Sequence, residues 1–577
     1  MTLKELRISK GLSQEECAKY LGIGRRTYQN YETDSSKQNT DKYKLYYSKL
    51  QEYGNQENNH SMQDNTSFLT NVVIGDGISA LYSKIKEYKK RDCYKDLQKF
   101  INGDYNGKIC ILYGLRRTGK TTMLFQMFGE LPNDKIAYIK VKTTDNMANL
   151  TKDLNLLFKK GYKYIFIDEI TLLEDFINTS AVLSDIFACM GMKIVVSGTD
   201  SLGFAMTNRD ELYDRCIMIH TSFISFSEYE RLLGICSVDK YIEYGGTLKM
   251  ENMSFDDPDS IFDDVSFRDD ESTRKYIDTA ISRNIQHTLK NDNYGEYLNE
   301  LRELYNKGEL TNVINRIVEN MNHEFVLHVI EEQFKSHDLG SAKDLMLHKA
   351  PEDKAYILYN VDNKKIVDRL KKLIEIKERD ELKITITQEH VEKVKKYLVM
   401  LDLIVNCPDV YESGKFADHY IFSQPGMRYA IAKALVYSLM QDEYFKSNSE
   451  MDKKEITDKI LEDVKGKMLE EIVLLETNKS ITKNVKAFKY RFDNGGKFDM
   501  IVANKEANTC EIYEIKHSQK ILADQYRHLI DEVKCKNVEF KYGKITNKYV
   551  IYRGKNTKLD NGITYINVEQ YLKSLYI

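Results

Sequence analysis

Between residues 67 and 235, short apolar runs alternate with stretches whose apolar positions recur every three or four residues. The runs 109–113, 136–141, 164–167, 193–196 and 217–220 read as buried strands and the stretches between them as helices. This is the pattern of a parallel α/β sheet. Residues 1–53 carry helical spacing only, and 54–66 are too poor in apolar side chains to fold alone and read as a linker. The region 236–445 is mainly helical. Its segment 387–408 predicts a helix, 411–422 a β-wing, and 423–428 the start of another helix. Within 446–577 a helix over 461–475 precedes strands over 497–502 and 510–516. The expected fold class is therefore multidomain α/β. It comprises an all-α N-terminal unit, a parallel-sheet core, a helical and winged-helix middle, and a C-terminal α/β domain.

The first strand of the sheet runs directly into Gly114-Leu-Arg-Arg-Thr-Gly119-Lys120-Thr121-Thr122, and a helix pattern follows. That is the spacing of a phosphate-binding loop in its strand–loop–helix context. Gly114 and Gly119 let backbone N–H groups close around phosphates, and the helix N-terminus adds its positive end. Lys120 is expected to reach the β- and γ-phosphates of ATP, and Thr121 to ligate Mg²⁺. The strand 164–167 then delivers Asp168 and Glu169 at its C-terminal edge. Asp168 is the expected Mg²⁺ acid, and Glu169 the group that orients or deprotonates the attacking water. One strand lies between the two motifs in sequence, which suits the additional-strand class of P-loop ATPases. Ser197 opens the run Ser197-Gly-Thr-Asp-Ser, where a polar γ-phosphate sensor is expected.

In the N-terminal unit, Ser13 and Glu16 have capping-box spacing, and Cys17, Ala18 and Leu21 form one apolar face. Gly22 ends that helix. A second helix from Gly24 turns Tyr28 and Tyr31 inward and leaves Arg25, Arg26, Gln29 and Asn30 outward. The run SQEECAKYLGIGRRTYQNYE resembles the Cro and phage-repressor (XRE) type of helix-turn-helix. The resemblance implies a second helix in the major groove. Arg25, Arg26, Gln29 and Asn30 are then candidates for base or phosphate contacts, and Gln14 for a phosphate. The unit holds ten Lys/Arg against seven Asp/Glu, only mildly basic. Binding of a protein in place of DNA stays open.

At the C-terminal end, period-two alternation puts Glu514 and Lys516 on one strand face. Asp499 on the preceding strand and Glu470 on the helix are expected beside them. This arrangement resembles PD-(D/E)xK phosphodiesterases. The resemblance implies Asp499 and Glu514 as metal ligands, Glu470 completing the shell and Lys516 acting on water. Two chemistries stay open: metal-dependent cleavage, or an idle nuclease-like (restriction-endonuclease-like) domain that binds DNA or a partner. Lys497 stands where the family often has an acid.

The order GLRRTGKTT, IFIDEI, VVSGTDS, Arg215, FISFSEYERLLG, YIEYGGT resembles prokaryotic AAA-type ATPases that carry a C-terminal nuclease-like domain of unknown function. That resemblance covers most of 68–577. It implies a nucleotide-facing Arg116 and offers Arg215 as a γ-phosphate arginine, against a plain surface role.

Composition narrows the partners. The formal net charge is −3, so any nucleic-acid surface is a local patch. The Lys393, Lys395 and Lys396 helix face is one candidate patch, although such faces are commonly just solvated. The acidic run 256–271 lacks calcium-loop spacing and reads as a solvated insertion. Nine scattered cysteines with no CxxC read as buried reduced thiols. With no signal peptide and no apolar run near the ~18 residues that span a bilayer, a cytoplasmic chain with no membrane contact is expected. The oligomeric state is left open.

Overall fold

The computed structural model describes residues 2–9, 12–21, 23–34, 40–52, 67–209, 211–248, 267, 269–282, 285, 289, 299–336, 368, 369, 371, 372, 385–445 and 449–576. The expected linker 54–66, the helix-ending Gly22 and most of the acidic insertion lie outside these residues. The chain divides into two compact units, Met1–Phe68 and Leu69–Ile577.

Among its described residues the first unit has four helices, Leu3–Ser9, Gln14–Leu21, Arg25–Thr33 and Asp41–Glu52. The capping box forms as the spacing predicts. Glu16 N–H donates to Ser13 Oγ at 3.2 Å, and Ser13 N–H donates to Glu16 Oε2 at 2.8 Å. Leu3, Leu6, Cys17, Ala18, Leu21, Tyr28, Tyr43 and Leu50 make the core.

The second unit opens with the strands β1 (Val72–Val73), β2 (Ile109–Tyr113), β3 (Ile136–Lys140), β4 (Tyr164–Asp168), β5 (Lys193–Gly198) and β6 (Cys216–His220). They form one sheet in the order β1-β3-β4-β5-β2-β6. All pairs are parallel except β1 with β3, which caps that edge. Strands buried on both faces need continuous apolar runs, which is what β2 through β5 carry. The additional strand is real, but it is β5, later in the chain, that stands between β2 and β4. β3, which separates the two motifs in sequence, lies on the far side of β4.

Seven helices of eight or more residues lie between β6 and residue 485 among the described residues: Phe226–Leu233, Asp270–Ile277, Asn299–Asn306, Leu310–Ser336, Gln388–Met400, Pro425–Met440 and Glu450–Ser480. The 31-residue helix Glu450–Ser480 is longer than the apolar spacing of 461–475 suggests. It is buried on more than one face because it is packed against both the neighbouring helices and the last sheet.

The remaining strands are β7 (Ile404–Asn406), β8 (Asp409–Tyr411), β9 (Phe416–Ala417), β10 (Tyr420–Phe422), β11 (Val485–Arg491), β12 (Lys497–Asn504), β13 (Thr509–Ile515), β14 (Lys544–Tyr552), β15 (Thr557–Lys558) and β16 (Ile563–Asn567). β7 and β10 pair as a wing. The others form an eight-stranded mixed sheet in the order β15-β16-β14-β13-β12-β11-β8-β9. β8 and β9 thus leave the wing and cover the open edge of β11, where unpaired N–H and C=O groups would otherwise stand. The Arg491–Asp409 pair at 2.6 Å fixes that junction. The boundary expected near residue 445 therefore falls inside one continuous structure, whose core runs from Ile224 to Leu572. No described helix is long and apolar enough to cross a membrane. None of the nine cysteines is in a disulfide. Five are buried as expected, whereas Cys189 and Cys236 are exposed.

Candidate nucleotide and nucleic-acid sites

Two glycines shape the loop after β2. At Gly114 a Cβ would stand 2.6 Å from Thr221 Oγ1 and 2.9 Å from Ser222 Oγ, so only glycine admits this approach. Gly119, at φ 87°, is the left-handed residue that opens the helix Lys120–Phe128. A cavity of about 300 Å³ lies over the loop. Arg116, Gly119, Lys120, Thr121 and Thr122 line it from the loop, and Glu169 and Thr199 from the neighbouring strand ends. Lys120 is buried, and its ammonium donates to the Gly114 and Leu115 carbonyls, both at 2.8 Å. Burial pulls its pKa down to about 8 against the opposing pull of Glu169 and Asp168.

Asp168 lies beneath the cavity with no exposed surface. Its Oδ2 accepts from Thr121 Oγ1 at 3.1 Å, Tyr138 OH at 3.0 Å and Lys140 Nζ at 2.7 Å, and its Oδ1 from Ser197. Burial pushes this carboxyl up, but the Lys140 ammonium and the Lys140, Ser197 and Tyr138 hydrogen bonds outweigh it and hold the group below the usual range. Lys140 was legible in outline: β3 ends in a polar residue at the sheet's C-terminal edge, in register with Asp168. Glu169 sits at φ 60°, ψ 40°, a left-handed conformation that costs a non-glycine residue free energy. That backbone carries the carboxylate to the cavity wall while its neighbour points inward.

Two expected nucleotide contacts are corrected. Ser197 is spent on Asp168 and does not line the cavity, whereas Thr199, two residues on, does. Arg215 precedes β6, so it stands at the N-terminal edge of a parallel sheet whose C-terminal edge holds the loop. There it pairs with Asp185 at 3.1 Å and donates to the Glu211 carbonyl. Chain direction alone carried that signal.

Residues outside any recognisable motif brace the loop, Leu248 from the cavity side, and nothing in the sequence pattern singled them out. Arg91, 5% exposed, donates to Glu228 Oε1 at 2.6 Å, the Thr221 carbonyl at 3.0 Å, the Phe223 carbonyl at 2.8 Å and the Thr118 carbonyl. Leu248 N–H donates to the Arg117 carbonyl at 2.7 Å, and Tyr276 OH to that of Arg116 at 3.3 Å.

In the first unit, Arg25, Arg26, Gln29 and Asn30 are all exposed on one helix, with Tyr28 buried behind them. Gln14 is placed differently from expectation: its amide donates to Glu32, which also takes Arg7 Nε at 2.6 Å. Gln14 therefore joins two helices. The Lys393–Lys396 face is also partly committed, Lys393 to Glu300 at 3.3 Å and Lys395 over the Tyr420 ring.

At the C-terminal sheet the four expected residues converge. Asp499 Oδ2 accepts from Ile515 N–H at 2.9 Å and Lys516 Nζ at 3.0 Å, and Lys516 also reaches Glu514 at 2.6 Å. Glu470 arrives from the long helix, as predicted. Three further lysines come with it: Lys497 at 2.9 Å, Lys489 at 3.0 Å and Lys467 at 3.3 Å from its carboxylate. Burial raises Glu514 to about 8 despite Lys516. Burial also raises Asp499, but Lys497, Lys516 and Lys489 outweigh it and hold that carboxyl well below its usual range. Among the described residues no three His, Cys, Asp or Glu side chains are grouped to hold a metal ion. The three carboxylates expected to hold a metal, Asp499, Glu514 and Glu470, are each paired with ammonium groups, while Glu514 Oε1 is buried without a hydrogen-bond partner.

Comparison with known proteins places an AAA domain at residues 106–230 and a helix-turn-helix at residues 3–45. An uncharacterized protein of Methanocaldococcus jannaschii is 27% identical over 215 residues, covering 33% of this chain and 47% of that protein. The chain thus spans about half the length of the curated relative it matches. Among solved structures, S. cerevisiae Hsp104 in its casein complex overlaps 30% of this chain and 34% of its own at 14% identity and a TM-score of 0.23. The Aeropyrum pernix ORC1 protein in complex with DNA overlaps 62% and 92% at 12% identity and a TM-score of 0.21. Neither overlap defines the fold of the chain.

Proposed function

We propose that the chain is a DNA-associated ATPase that binds Mg-ATP on Gly114, Arg116, Gly119, Lys120, Thr121 and Thr122. The observation that carries this reading is the buried Thr121–Asp168–Ser197 chain under a loop of correct spacing. Thr121 Oγ1 and Asp168 Oδ2, 3.1 Å apart, are the oxygen pair that suits a hard cation, and these two residues would hold Mg²⁺. The bound ion supplies positive charge against the phosphates. Lys120 exchanges its two loop carbonyls for phosphate oxygens, and Glu169 at the cavity wall orients or deprotonates water. Lys140 and Tyr138 keep Asp168 ionised and aimed.

The outward Arg25, Arg26, Gln29 and Asn30 suit DNA, and the working compartment is the cytoplasm. In the C-terminal domain, the convergence of Glu470, Asp499, Glu514 and Lys516 is the feature that suits phosphodiester cleavage. The ammonium-filled carboxylates favour the other reading, an ATP-switched regulator whose nuclease-like domain binds without cutting. The test is ATP hydrolysis and plasmid cleavage by the full chain with Mg²⁺ or Mn²⁺, beside Lys120→Ala and Lys516→Ala. Hydrolysis lost in Lys120→Ala establishes the ATPase, and cleavage lost in Lys516→Ala returns the nuclease. Wild-type protein without hydrolysis sinks the ATPase reading.

A further inference from the structure

The C-terminal cluster is layered by charge. Asp499 is 1% exposed and Glu514 3%, whereas the side chains of Lys497 and Lys516 are 24% and 28% exposed. A group arriving from solvent therefore meets the Lys497 and Lys516 ammoniums, with the part-exposed Glu470 beside them, before it meets Asp499 or Glu514. Four lysines, 467, 489, 497 and 516, face three acids, 470, 499 and 514, so the cluster is not neutralised by its own carboxylates. Lys516 Nζ has three donors and gives two of them to Asp499 and Glu514. Glu514 Oε1, buried beside it, has no hydrogen-bond partner.

The rim is basic as well. A Cβ at Gly496 would stand 2.8 Å from Lys534 Nζ and 3.0 Å from the His528 ring, so both lie over the Gly496–Lys497 backbone. Lys534 donates to His528 Nδ1 at 2.7 Å, and Arg527 approaches the same ring at 3.4 Å. Asp531 and Asp524 are the acids that face them, at 3.9 Å from Lys534 and 3.3 Å from Arg527. Burial and then Lys534, Arg527 and Lys516 hold the imidazole down at about 4, so it stays neutral among these cations. An entering divalent cation is repelled by this rim and must displace two lysines. An entering phosphodiester is attracted and finds donors.

We propose that this site binds a DNA phosphodiester directly on Lys497 and Lys516, with Arg527 and Lys534 at its rim, and takes no divalent cation. The proposal rests on the DNA-associated reading above and names the ligand of its C-terminal domain. The lysine at 497 is the discriminating residue, since a carboxylate there would remove one ammonium and add a metal ligand.

The test is anisotropy of a labelled DNA duplex with the full chain in EDTA, in an Arg25→Ala/Arg26→Ala background that removes the helix-turn-helix contribution. The expected result is residual binding that persists without metal. Arg527→Ala/Lys534→Ala should weaken it and lower the salt slope by about one for each phosphate that is no longer neutralised. Those rim changes leave every buried carboxylate its partner, so they keep the test valid if Lys497→Ala fails to fold. Lys497→Asp should weaken DNA binding and create Mn²⁺ affinity measurable by calorimetry. Residual binding unmoved by the rim pair overturns the proposal, as does none in the Arg25→Ala/Arg26→Ala chain while wild type binds. Metal-dependent cleavage by wild type that Lys516→Ala abolishes also overturns it. Wild-type protein that binds no DNA at all overturns the DNA-associated reading itself.

Discussion

Arg91 and Glu228, 137 positions apart in the chain, form a buried ion pair at 2.6 Å whose guanidinium also holds the Thr118 carbonyl of the phosphate loop. Glu228 in turn accepts the Asp92 N–H at 2.7 Å. The back of the loop is thereby tied to the segment before the first core strand and to the helix Phe226–Leu233. Removing one partner leaves a buried charge alone, which costs about 3–5 kcal/mol. Arg91→Met should lose stability of that order in denaturant unfolding and weaken nucleotide affinity by freeing Thr118. A stability loss below about 1 kcal/mol would sink this account.

At the nucleotide cavity, Lys120→Ala should cut ATP turnover by roughly 100-fold or more, since it removes a preorganised cation from the developing charge. Glu169→Gln should keep ATP affinity while slowing turnover by a similar factor. Fluorescent-nucleotide titration beside phosphate release separates binding from turnover.

Arg215 pairs with Asp185 in the open, at the sheet edge away from the loop. Exposed pairs of this kind contribute roughly 0–1 kcal/mol. Arg215→Ala should therefore leave the Kd for ATP unchanged, and a tenfold loss of affinity would return it to the site.

In the first unit, Arg25→Ala/Arg26→Ala should reduce DNA affinity with little change in Tm, because both side chains are exposed. Gln14→Ala should do the reverse, because its amide is spent on Glu32. Anisotropy and thermal unfolding of the two variants check the contrast.

Glu476 carries a pH-dependent contribution to stability. It is 1% exposed, accepts Phe226 N–H at 2.7 Å, and burial raises it to about 8 although that N–H and Tyr241 oppose the rise. An acid with a raised folded pKa binds its proton more tightly in the native state. Stability is then full below about pH 4.5 and declines as pH rises toward 8, by up to about 1.4 kcal/mol per pH unit. Glu476→Gln should flatten that decline by about one proton, leaving the similar contribution of Glu514. Unfolding series between pH 5.5 and 8.5 read the slope, and an unchanged slope refutes the assignment.

The phosphate loop, the Asp168–Glu169 pair and the helix-turn-helix face were legible because each is contiguous in the chain and rides on a regular period. A strand that enters a glycine loop and a helix leaves its spacing in the sequence, and so does a helix that buries Tyr28 and exposes its neighbours. Convergence of Glu470, Asp499, Glu514 and Lys516 was also readable from period-two alternation on β13 and a single helix. The tertiary structure alone decided the rest of what surrounds these groups: Arg91 behind Thr118, Lys489 on Glu470, and β8 on the edge of β11. Those partners come from elements that have no local sequence relation to the site. Buried charges must be paired, but the sequence does not say which distant strand or helix will bring the counter-charge. That choice follows from strand order and packing, which arise only when the sheets are assembled.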